Sequence, residues 1–90
     1  MRQLELFMGY VRVEASVVGE SAEGSLEWDR VVTVPLLVQY EGQGLSEAAD
    51  FVREQKMQEL AMEMIAEGFT PIIGISATTL LDMDYKEVEL

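Results

Sequence analysis

Residues 2–18 alternate apolar and polar side chains and are rich in Val, Leu and aromatics, the two-residue period of a half-buried strand. The alternation changes phase part-way. Leu4, Leu6 and Met8 fall on even positions, while Val11, Val13, Ala15 and Val17 fall on odd ones. Gly9 and Tyr10 lie between the two sets. A polar segment, GESAEGS at 19–25, follows and reads as a turn. Residues 27–40, EWDRVVTVPLLVQY, read as a second long strand.

Pairing the two strands as an antiparallel hairpin makes the phase change interpretable. One register sets Val17 against Trp28, Ala15 against Arg30, Val13 against Val32 and Val11 against Val34. An extra residue at Gly9-Tyr10 then sets Met8 against Leu36, Leu6 against Val38 and Leu4 against Tyr40. A single apolar face would run along both strands. The pattern predicts a β-bulge at Gly9, where glycine can adopt the left-handed backbone that bulges often need. Pro35 falls opposite, and proline is tolerated at bulges and on edge strands because it donates nothing to the ladder.

The rest of the chain supplies one helix and one strand. Ser46 is placed to cap a helix over residues 46–67, with Glu47 and Asp50 in the first turn, where the helix dipole favours anions. Gly68 is a stop signal. Residues 70–83 read as a third strand. The helix carries the chain across the sheet, so the strand order expected is 2-1-3. The fold class is α+β: one domain over residues 1–90, ββαβ, a three-stranded antiparallel sheet with the helix on one face.

With one helix, only one face of the sheet can be covered from within. Phe7, Tyr10, Pro35 and Leu37 are expected to form an apolar island on the other face, unless Val88 and Leu90 fold over it. The helix poses its own problem. Ala48, Ala49, Phe51 and Val52 point away from Met57, Leu60, Ala61, Met64 and Ile65, so a kink or two-sided cover is expected. Met57, Met62 and Met64 would suit an adaptable contact surface.

Composition narrows the chemistry. The chain has 90 residues, 17 acids, six bases and a formal net charge of −11. That balance disfavours direct contact with nucleic acid or an anionic membrane, and it suits a basic protein partner. There is no Cys and no His, which removes disulfides, thiolate catalysis and the usual neutral-pH base and metal ligand. Arg2 and Glu5 interrupt the apolar N-terminus, so a cytoplasmic location is expected.

The remaining motifs are weak. Glu59, Glu63 and Glu67 share a helix edge, and Asp82 and Asp84 share a strand face, but neither set has the spacing of a cation loop. Gly42-Gln-Gly44 before the helix matches no phosphate-binding pattern. Gly74-Ile-Ser-Ala-Thr78 lacks the second glycine of a nucleophile elbow, and Ser76 has no histidine base. No catalytic residue, cofactor or metal is expected.

The reading is a non-catalytic, acidic protein-interaction module. It would associate with itself as a homo-oligomer, a dimer being the simplest, or with a basic protein. Its candidate contact residues are Phe7, Tyr10, Pro35, Leu37, Met57, Met62 and Met64. One alternative is an acidic inhibitor that imitates nucleic acid in a basic cleft. Another is a small-ligand site at a subunit interface.

Overall fold

The segment expected to be a seven-residue turn is almost entirely strand. The computed structural model describes residues 4–89, apart from the side chains of Ile75 and Ser76. Strand β1 runs Glu5–Ser21 and β2 runs Gly24–Tyr40, leaving Ala22 and Glu23 as a two-residue turn. Ser21 closes it: its hydroxyl accepts from the Glu23 N–H at 3.2 Å and donates to the Gly24 carbonyl at 3.3 Å. Gly24 has φ +143°, which a side chain would resist. The expected start of β1 at residue 2 lies outside the described residues, as does Leu90.

Helix α1 spans Gly44–Ala66 and β3 spans Thr70–Leu81. The helix starts two residues before Ser46. Gln43 occupies the cap position with no side-chain cap bond, so the expected Ser46 cap is not used. Its other end is as expected. Gly68 takes φ +91°, and the Phe69 N–H bonds back to the Met64 carbonyl at 3.2 Å.

The sheet is antiparallel with strand order β2-β1-β3, and α1 packs on one face. The α+β architecture expected from the pattern is therefore present. The bulge at Gly9 is not. The β1–β2 register is unbroken from Glu5–Tyr40 to Ser21–Gly24, with Gly9 opposite Leu36 and Tyr10 opposite Pro35. The odd residues of β1 face the helix throughout, from Phe7 to Gly19. Leu4, Leu6 and Met8 therefore point to the uncovered face.

Gly9 has a different reason to be glycine. A Cβ there would collide with the Leu81 carbonyl and would sit 2.9 Å from Cζ of the Phe7 ring. Pro35 sits on edge strand β2, where its missing N–H is tolerated.

The extra residue belongs to β3 instead. Glu14 pairs with Ala77 but Ala15 pairs with Ile75, so Ser76 has no opposite number. The reason is the same parity argument applied to another strand. Ile73 and Leu80 both pack against the helix-side core, yet they lie seven positions apart, an odd offset that puts them on opposite faces of a regular strand. One inserted residue lets both face inward.

The core divides into two clusters along the sheet. Phe7, Val11, Val13 and Leu80 meet Leu45, Ala49 and Val52 of the helix. Ala15 and Val17 meet Leu60 and Met64, with Trp28, Phe69 and Ile73 packed around them. Arg30 lies over the Trp28 ring, 4.9 Å from its centroid. Met64 is fully buried and lies over Gly19, where a Cβ would run into its sulfur.

The helix shows neither of the expected solutions. Its buried residues Leu45, Ala49, Val52, Leu60 and Met64 form one stripe of three- and four-residue steps, and the half-buried Lys56 bridges the gap between Val52 and Leu60. Each four-residue step overshoots a full turn, so the stripe winds round the helix. Phe51 and Ile65 are outside it and exposed. The fold measures 59 × 25 × 16 Å. A helix of 23 residues is only about 34 Å long, so it cannot cover the whole sheet.

Candidate interaction surface

The even residues of β1 define the face that α1 leaves open. Opposite them on β2 stand Gln39 (against Leu6), Leu37 (against Met8) and Pro35 (against Tyr10). On the far side, Leu81 of β3 pairs with Tyr10. One end of the open face is therefore apolar. Leu37 is 70% exposed, Leu6 58% and Met8 52%. Met8, Tyr10, Pro35, Leu37 and Met83 line a shallow hollow of about 290 Å³. Further along, the face is mixed: Arg12 and Glu14 are ion-paired at 3.4 Å, while Val31, opposite Glu14, and Ile72, opposite Val18, are exposed.

The segment after β3 frames this end. Asp82 organises a tight turn: its carboxylate accepts from the N–H groups of Asp84 (2.8 Å) and Lys86 (3.0 Å). Its own N–H bonds to the Lys86 carbonyl at 2.8 Å. The third strand, expected to run to residue 83, ends at Leu81, so Asp82 and Asp84 lie in a turn and share no strand face, and the Asp82 carboxylate holds backbone donors there. Tyr85 adopts φ +61°, and its ring stacks on Tyr10 with centroids 4.6 Å apart and planes 13° apart. Its side-chain hydrogen bond with Tyr85, more than charge or burial, holds the Tyr10 pKa above the ordinary tyrosine value. Glu87 bridges back to Leu81 and lies 3.8 Å from Arg12. Val88 does not fold over the open face; it packs against the helix-side core.

At the sheet's end the Tyr40 hydroxyl donates to Glu5 Oε2 at 2.7 Å. That bond raises the Tyr40 pKa, with burial and the Glu5 charge adding to it.

The seven candidate contact residues separate into three groups. Tyr10, Pro35 and Leu37 are together on the open face, as expected. Phe7 is 8% exposed and Met64 0%, so neither can touch a partner. Phe7 shares the inward parity of Val11, and Met64 is the helix's deepest residue. Met62 is 67% exposed and Met57 half-buried, both on the helix and so on the other side of the molecule. Leu4, Leu6, Met8, Met83 and Tyr85 were not anticipated. The signal for the first three was present in their even parity, but placing a bulge at Gly9 turned them inward.

The acidic row on the helix shows no cation site. Glu59 is held by Lys56 at 2.7 Å, and no group of three metal-capable side chains occurs among the described residues. Among those residues no helix is long and apolar enough to cross a membrane. No known protein family, curated protein or solved structure matches this chain.

Proposed function

We propose that the protein is a non-catalytic interaction module that associates with a second copy of itself through the open face of its sheet. The observation that carries this is the contiguous apolar patch at one end of that face. Leu4, Leu6, Met8, Leu37, Met83 and Tyr85 each expose more than half of their surface. A cluster of exposed apolar side chains, unlike ones scattered singly over a surface, marks a protein-interaction site. Each partner in a stable interface contributes about 800 Å², so the apolar patch would form the centre of the contact and the polar surface around it the rim. A two-fold sandwich would place each patch against its own copy and close the assembly at a dimer. A cytoplasmic location accompanies this reading and would be checked by fractionation of the native cell.

The test is a solution mass by light scattering or sedimentation across a range of concentrations. The wild type should be dimeric at micromolar concentration. Met8→Asp and Leu37→Asp should each give a folded monomer, because an exposed site tolerates the charge in the monomer but not in a dry interface. Salt should strengthen association, since two chains of charge −11 repel. A wild type that stays monomeric at high salt and millimolar concentration would sink the proposal.

A further inference from the structure

The helix carries a second exposed apolar surface, on the opposite side of the molecule from the sheet patch. Phe51 is 63% exposed, and Met62 and Ile65 are comparably open. With Gln55 and Gln58 they follow the steps four, three, four, three, the spacing of a seam that receives another helix. This stripe lies on the outward side of α1, away from the buried row of Leu45, Ala49, Val52, Leu60 and Met64. At the C-terminal half it borders a broad shallow groove in which Glu59 and Glu63 lie beside Met62.

Its flanks are acidic on both sides. At 100° per residue, Asp50 and Glu54 lie along one edge of the stripe and Glu59 and Glu63 along the other. The segment from Gly44 to Glu67 holds six acids and two bases. Both bases already face acids of their own helix: Arg53 is 3.2 Å from Glu54 and 4.0 Å from Asp50, and Lys56 is 2.7 Å from Glu59. A second copy laid along this stripe would bring two acidic rims together. A helix with an apolar face between Lys and Arg residues would meet both the stripe and its rims.

We infer that the outward stripe of α1, centred on Phe51 and Met62, is a docking surface for a basic amphipathic helix of a partner protein. Phe51 and Met62 supply the apolar contacts, Gln55 and Gln58 hydrogen-bond across the middle, and the flanking carboxylates pair with the partner's cations. The surface is independent of the sheet patch, so each can be occupied while the other is filled.

The probe is a synthetic peptide of about 20 residues, long enough to span α1, with leucines at seam spacing except for glutamines at the central seam positions, and lysines and arginines elsewhere. Binding to the full chain is read by fluorescence anisotropy and by amide chemical shifts. The peptide should bind with shifts confined to the outward side of α1, and salt should weaken it, opposite to self-association. Phe51→Ser with Met62→Ser leaves the charge unchanged and should weaken binding at least about tenfold, while the amide spectrum shows the fold intact. Leu37→Asp, on the sheet patch, should leave peptide binding unchanged. A scrambled peptide of the same composition should bind at least about tenfold more weakly, and a glutamate-substituted one should not bind. Equal binding of the scrambled peptide, or no effect of the double substitution, would reduce the attraction to net charge alone and overturn the inference. So would the absence of any binding.

Discussion

Gly9→Ala isolates the reason that position is glycine. Were it a bulge residue with a left-handed backbone, alanine would be resisted by its own dihedral angles. Gly9 is not among the glycines of positive φ, and its neighbours do the excluding. The new methyl would overlap the Leu81 carbonyl, a backbone atom that cannot swing aside. It would also sit 2.9 Å from Cζ and 3.1 Å from Cε1 of Phe7. Relief requires the end of β3 to move out or the Phe7 ring to leave its place in the core. Overpacking of this kind costs roughly 1–3 kcal/mol, and partial loss of a buried Phe adds about 1 kcal/mol. Against this, alanine recovers about 0.5–1 kcal/mol through the unfolded chain. The net expectation is a destabilisation of about 2 kcal/mol, or roughly 8–16 °C in Tm for a domain of this size. Urea unfolding at fixed protein concentration measures it, since self-association would otherwise move the midpoint. A midpoint equal to or above the wild type would show that the space around Gly9 is open and that the packing argument is wrong.

Met64→Ala empties the centre of the second core cluster, beside Gly19, and should cost about 2–5 kcal/mol in the same assay. Lys56→Met should raise stability by about 0.5–1 kcal/mol, because it joins the two halves of the buried stripe and gives up only a surface ion pair to Glu59. An unchanged or lowered midpoint would mean that Lys56 holds more than its place in the stripe. Alkaline pH should weaken the fold. The pKa of Tyr40 is raised by its bond to Glu5 and that of Tyr10 by its bond to Tyr85, so both favour the protonated phenol in the folded state. Their contribution is complete below about pH 10 and fades as pH rises through the higher folded values. Tyr40→Phe should flatten that decline and leave the midpoint between pH 6 and pH 8 little changed.

Much of the architecture follows from sequence alone. The alternation of β1 and β2 specifies two long strands. The polar stretch between them specifies a hairpin, and the register through Val11–Val34 to Val17–Trp28 follows from apolar pairing. Gly68 ends the helix, and a single helix between the second and third strands is enough to order the sheet as β2-β1-β3. These are local signals, or ones that a single strand pair can carry.

Which face each residue occupies was decided elsewhere. Alternation shows that Leu4, Leu6 and Met8 share a side, but it does not show which side the helix covers. Assuming that every apolar residue is inside required a bulge in β1. The molecule instead leaves those three on the surface and puts the irregular residue in β3, at Ser76. Likewise the helix's apolar residues separate into a buried stripe and an exposed one only once the sheet lies beneath them. Periodicity is a relation among residues of one element. Burial depends on what packs against that element, and so the two candidate surfaces, although written in the sequence, became surfaces only in the tertiary structure.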